Sequence, residues 1–168
     1  RQRQMCIRDR METGADNCVL SQCPNRRSKC WSESQAFTLA SADAITLLHR
    51  EHIAYALFRE AWAADEGVTR PSAASEHLAV AQRHRAIADS LRETLNERLW
   101  RSDLGYHVAY NVSTRTHLLS KTYVMAYPLW AGLVNKSQAA QLAASLGAET
   151  MLSSAGLRST SSDDPRYN

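Results

Sequence analysis

From about Ser41 to Asp65, apolar residues recur at steps of three and four. Ala44, Leu47, Leu48, Tyr55, Phe58, Ala61 and Trp62 would line one side of a helix, which His49, Arg50, Glu51 and His52 interrupt with a polar turn. Gly67 is placed to end this helix in the left-handed conformation that glycine tolerates. Thr69-Arg70-Pro71-Ser72 restarts the chain, because proline suits a first turn where no N–H is needed, and Glu76 favours the positive end of a helix. The second helix is predicted from about Ser72 to Trp100. Its stripe is Ala74, Leu78, Ala81, Ala88, Leu91, Leu95 and Leu99, and Arg83, Arg85, Asp89, Arg92, Glu93 and Glu97 form the wet side. Two long helices joined by about six residues make an antiparallel hairpin.

Between Asp103 and Lys121 the period shifts from helical to alternating. Tyr106, Val108 and Tyr110 point one way, Asn111-Val112-Ser113-Thr114 reads as a turn, and Thr116 and Leu118 form a return strand. This is a small β-hairpin inserted between helices. Helical texture returns near Tyr123, but Pro128 makes that segment short or kinked. Asn135 is a good N-cap with Gln138 three residues on, opening an Ala- and Leu-rich helix over Ser137 to Leu146 that Gly147 stops. From Thr150 the chain is a Ser-rich loop. The whole reads as an all-α fold of helical hairpins with decorated loops, and no internal repeat shows.

The chain has 168 residues, 44% hydrophobic and 22% charged, which permits one core and excludes disorder as its general state. A net charge of +3 gives no reason to propose nucleic acid as a partner, and no apolar run approaches the roughly 20 residues of a membrane span. Arg1–Arg10 (RQRQMCIRDR) has neither period nor caps, so it is set aside as adapter-like, non-native sequence or a disordered basic arm. Both ends read as cut, which leaves the compartment open. Cys18, Cys23 and Cys30 lack the tight pairs and the histidine of a zinc site, although one disulfide among them is compatible with secretion. Asn111 and Asn135 each head a glycosylation triplet, a pattern that chance also produces. His49, His52, His77 and His84 invite a metal, but no carboxylate repeat completes a site, so none is expected. With no Gly-rich phosphate cradle, nucleophile elbow or zinc-protease helix, no cofactor is expected either.

One segment carries chemistry. Glu12-Thr13-Gly14-Ala15-Asp16-Asn17 sets an acid in a Gly-bent loop ahead of the helices. Alone, Asp16 would be read as a turn residue. The segments behind it follow in order: Leu99-Trp100 with Gly105-Tyr106, Pro128–Gly132 with Gln138-Ala139 and Leu142, Gly156–Ser159, and Asp164–Asn168. Together with an E-[ST]-G-x-D-N loop, this order resembles the catalytic domain of family 63 glycoside hydrolases and their trehalase-like relatives, including the mannosyl-oligosaccharide glucosidase type. Those domains are (α/α)6 barrels. The likeness covers residues 11–168, as a partial catalytic domain.

That resemblance implies inverting cleavage of an α-glycosidic bond. Inversion needs a carboxylic acid to protonate the leaving oxygen and a carboxylate to activate water, about 6.5–9.5 Å apart. Asp16 matches the family's acid. Gly14 would let the loop backbone approach a sugar, and Asn17 would orient the acid or a hydroxyl. The family's base is a Glu well downstream, after a Trp-rich Gly-Pro loop, and it is expected beyond Asn168. Glu60, Asp65, Glu93 and Glu97 read as solvated helix-face charges, and Asp163 and Asp164 as turn residues. Tyr123 and Trp130 suit either a sugar-stacking platform or the core, and Arg158 suits either the active centre or a surface loop. Met11, where the family has an aromatic residue, and the Cys- and Arg-bearing stretch Cys18–Trp31 depart from the pattern. The expected substrate is an α-glucoside or short oligosaccharide. The alternatives are trehalose, a mannosyl- or glucosyl-glycerate, or no substrate at all in a helical interaction scaffold.

Overall fold

The computed structural model describes residues 39–67, 69–148, 150–158 and 160–162. Arg1–Arg10, the loop Glu12–Asn17, Cys18, Cys23, Cys30 and Asp163–Asn168 lie outside the described residues.

Helix α1 runs over Ala42–Glu66, opening from an extended Ser41. Helix α2 runs over Pro71–Thr94 with Pro71 in its first turn, and continues as a wider π-helical turn over Leu95–Leu99. The two helices lie antiparallel, as expected. On α1 what buries is not the expected stripe, whereas α2 buries most of its expected one, Leu78 excepted. Leu48, Tyr55, Phe58, Trp62 and Leu78 are all exposed, whereas Ala56 and Ala63 on α1 and Ala74, Ala81 and Ala88 on α2 are buried. The alanines recur every seven residues, close to two helical turns, and form a narrow seam. Small side chains allow close backbone approach, which leaves no room in the seam for the larger apolar groups. Those flank it: Tyr55 packs on His84 with ring centroids 4.5 Å apart, and Trp62 stacks on His77 at 4.8 Å.

Gly67 ends α1, but in right-handed geometry (φ −57°, ψ −30°). The chain turns because the N–H groups of Thr69 and Arg70 both donate to the Glu66 carbonyl, after which Pro71 begins the next helix. At the far end of α2, Trp100 is extended (φ −69°, ψ 129°), so the helix stops one residue before the expected limit. The π turn sets Leu95 and Leu99 inward, where they pack with Ala42, Ile45 and Leu133.

Strand β1 (Leu39–Ala40) precedes α1, and β2 (Trp100–Arg101) pairs antiparallel with β3 (Tyr106–His107). The expected hairpin is formed by β4 (Ala109–Asn111) and β5 (Thr116–Leu118). Its turn is built by the Asn111 side chain, whose Oδ1 accepts from the N–H groups of Ser113 and Thr114, both at 3.0 Å. Strand β1 joins this hairpin on the free side of β4, with Leu39 opposite Asn111 and Ala40 opposite Tyr110.

A 3-10 turn, Tyr123–Ala126, leads into the short helix α3 (Tyr127–Trp130), as Pro128 required. Gly132 closes it at φ +70°, with Gly132 N–H donating to Leu129 O and Leu133 N–H to Pro128 O. This is the two-bond Schellman cap, whose pivot residue must be left-handed. Helix α4 (Lys136–Leu146) starts with a complete capping box. Asn135 Oδ1 accepts from Gln138 N–H, and Gln138 Oε1 from Asn135 N–H, each at 2.9 Å. Gln138 also donates to Asn96, which in turn donates to Leu133 O, so the start of α4 is tied to the end of α2. A second core of Tyr106, Val108, Met125, Leu142 and Met151 joins α4 to the strands. The Ser-rich tail contains a further two-residue hairpin, β6 (Leu152–Ser153) with β7 (Gly156–Leu157). No described helix is long and apolar enough to cross a membrane.

Candidate functional site

Two loops come together at one place. Thr122, just before the 3-10 turn, bridges to Thr160, and Ser161 N–H donates to Lys121 O at 2.9 Å. The segment after β5 and the segment after β7 are thereby stitched side by side. Tyr123 stands at the edge of the first, and Arg158 belongs to the second. The segments meet, but the Arg158 side chain turns back on its own hairpin, its Nε donating to Leu152 O at 3.3 Å, and it is exposed.

Tyr123, Tyr127 and Trp130 follow one another along a single short helical stretch. Ring centroids are 6.4 Å apart for the first pair and 6.2 Å for the second. Tyr123 and Tyr127 are half-buried against Val124, but Trp130 is 62% exposed. The core alternative therefore fails for Trp130. The Arg50 guanidinium of α1 lies 4.3 Å from its ring centroid, covering the ring from that side. An exposed indole held by a cation is a rigid apolar plate, which can stack on the C–H face of a sugar.

The acids divide sharply. Glu60 is not simply solvated: it takes two hydrogen bonds from Arg85 across the helix pair, at 2.6 and 2.7 Å. Arg101 grips Asp103 in the same way, at 2.8 and 2.6 Å. In each case the arginine's hydrogen bonds hold the carboxyl below the usual carboxylate range, so neither acid is suited to keep a proton for delivery. Asp65, Glu93 and Glu97 are exposed on helix surfaces, as expected.

Asp43 was missed. It sits in the first turn of α1, only 3% exposed, with one carboxylate oxygen lacking a hydrogen-bond partner among the described residues. Thr46, one turn on, has a buried hydroxyl in the same condition, as do Ser120 and Thr160 on the stitched segments. Position alone concealed Asp43, since an acid in a first helical turn is ordinarily explained by the helix dipole. His107 is buried beside Trp100, and burial pushes its imidazole down to about 4, so the ring is neutral near pH 7. Neither of its nitrogens has a hydrogen-bond partner among the described residues. Gly14, Asp16 and Asn17 lie outside the described residues, so their geometry is not part of this arrangement.

The described residues thus form a helical hairpin with small β-hairpins, carrying an exposed aromatic ring and two polar segments stitched together. Residues 6–168 match the family model described as the mannosylglycerate hydrolase MGH1-like glycoside hydrolase domain. The chain belongs to that family. Among solved structures it is similar to neutral trehalase Nth1 from Saccharomyces cerevisiae, with a TM-score of 0.52 and 22% identity over 74% of this chain. The likeness establishes a shared fold, that of a trehalase-type (α/α)6 barrel, of which this is a fragment. The chain spans 22% of that trehalase's length. No curated protein matches.

Proposed function

We propose that this chain is part of an inverting, exo-acting hydrolase of α-glucosidic bonds in short oligosaccharides, with Asp16 as general acid. The observation that carries the reading is the family match across residues 6–168, which includes the Glu12–Asn17 loop. In this reading Asp16 protonates the departing glycosidic oxygen, and a carboxylate supplied by residues beyond this sequence activates water on the opposite face. Gly14 lets the loop backbone close on the sugar, and Asn17 orients the acid. Tyr123 contributes to the sugar-stacking surface, and Arg158 would swing from its own hairpin to reach a hydroxyl. Among the described acids, Glu60 and Asp103 are tied to arginines, Asp65, Glu93 and Glu97 face solvent, and Asp43 is buried in the first turn of α1. A second substrate class, α-mannosyl- or α-glucosyl-glycerate, follows from the mannosylglycerate hydrolase after which the matching family is described, the glucosyl compound being its close analogue.

The test uses the parent enzyme that contains this chain. Hydrolysis of α-glucosides, trehalose and mannosylglycerate is compared, and the anomer released first is identified by NMR. Inversion requires the β-anomer to appear first. Asp16→Asn keeps the shape but cannot donate the proton, so turnover should fall by a factor of about 100 or more with the fold unchanged. Unchanged turnover in that variant would remove Asp16 from the chemistry. Detectable hydrolysis by residues 11–168 alone would show that the base is already present.

A further inference from the structure

His52 of α1 and His84 of α2 face each other across the helical hairpin, with their Nδ1 atoms 2.7 Å apart and ring centroids 4.8 Å apart. At this distance one Nδ1 donates a hydrogen and the other must offer a lone pair, so at least one ring is neutral. Both rings are half-buried, and Tyr55 packs on His84 at 4.5 Å, restraining it from rotating away. His49 lies one turn before His52. Its Nδ1 has no partner among the described residues, and burial, reinforced by Arg92 and opposed by Asp89, disfavours its charged form. The His52–His84 pair therefore holds at least one neutral imidazole at the seam.

We propose that His52 and His84 form a two-histidine site for a borderline divalent transition-metal ion of the zinc, nickel or copper class, clamping α1 to α2. Neutral imidazole is the preferred protein ligand of these ions. With metal–nitrogen bonds of about 2.0–2.1 Å, a tetrahedral ion holds two nitrogens roughly 3.3 Å apart. From the observed 2.7 Å the two nitrogens must separate by about 0.6 Å, and both rings must swing so that their lone pairs converge on the ion. The ion takes the place of the hydrogen between the two Nδ1 atoms: in the neutral pair the donor ring carries its hydrogen on Nε2 instead, no net proton is lost, and solvent completes the shell. Among the described residues no group of three or more His, Cys, Asp or Glu is gathered, so the site is bidentate and binds more weakly than a four-ligand structural zinc centre.

The experiment uses the 168-residue chain with its cysteines alkylated, so that thiolates cannot bind the probe. Thermal unfolding is followed with Ni2+ or Zn2+ alone, at pH 7.5 and pH 5.5, for the wild type, His52→Ala and His84→Ala. The ion should raise the wild-type midpoint at pH 7.5, EDTA should reverse the rise, and protons should abolish it at pH 5.5. Either substitution should weaken binding at least about tenfold, since it leaves a single imidazole. If an alanine variant fails to fold, His84→Asn replaces it as a shape-conserving poor ligand. No rise in the wild type, or a rise that survives either substitution, overturns the proposal.

Discussion

Gly105 and Gly132 have nearly the same left-handed backbone, φ +74° and φ +70°, in very different surroundings. A β-carbon added at Gly132 would meet nothing within 4 Å. Gly132→Ala therefore isolates the conformational cost of a left-handed L-residue, about 1–2 kcal/mol, partly offset by the reduced freedom of the unfolded chain, about 0.4–1 kcal/mol. The net loss should be on the order of 1 kcal/mol. At Gly105 the same β-carbon would lie 3.3 Å from the Gln141 Cβ and 3.5 Å from the Ser145 Oγ on α4. The turn between β2 and β3 would have to lift off α4, adding an overpacking cost of about 1–3 kcal/mol. Gly105→Ala should thus lose at least about 1 kcal/mol more than Gly132→Ala. Because the near atom is a β-carbon, Gln141→Ala should not relieve the clash. Urea unfolding followed by far-UV circular dichroism, with the slopes compared across variants, measures the difference. Equal costs at the two glycines would refute the close approach of the turn to α4. A neutral Gly132→Ala would refute the Schellman cap.

Two further perturbations probe the interior. Ala81→Leu forces a branched side chain into the alanine seam and should cost about 1–3 kcal/mol or more by thermal or urea unfolding, whereas the same change at exposed Ala86, also on α2, should be nearly silent. His107 is held near 4 when folded and returns to about 6.5 when unfolded, so the unfolded chain binds the extra proton. Its contribution is fully present above about pH 6.5 and is lost as pH falls towards 4, by roughly 3 kcal/mol over that window. His107→Phe should flatten the slope of stability against pH there, and a slope that persists unchanged would assign it to other groups.

The helices, the inserted hairpin, the capping box and the kink at Pro128 were legible because each rests on local chemistry. The Asn135–Gln138 reciprocity needs only four residues, and proline acts wherever it stands. The buried face of α1 was not legible in this way. Helical periodicity marks Leu48, Tyr55, Phe58 and Trp62 as apolar, but which apolar residues bury depends on how closely a second helix approaches, and that is decided by alanines on both. Strand β1 is two residues long, too short for any period, and pairs with β4 from some seventy residues away. Of the candidate site, the segments that carry Tyr123 and Arg158 meet through Thr122 and Thr160, a long-range contact that neither segment's own residues announce. The turn of Arg158 back onto its own hairpin and the burial of Asp43 are tertiary facts that no spacing encodes.

The alanine seam also bears on how the hairpin finds its alignment. Identical small residues repeating every seven positions are degenerate: sliding one helix by seven residues, about 10.5 Å, would again set alanine against alanine. Packing alone cannot tell these alignments apart. The unrepeated cross-helix partners can, because Glu60 with Arg85, His52 with His84, and Trp62 with His77 all meet together in a single alignment. The polar and aromatic pairs along the seam thus serve as its vernier marks, choosing one among several equally snug positions.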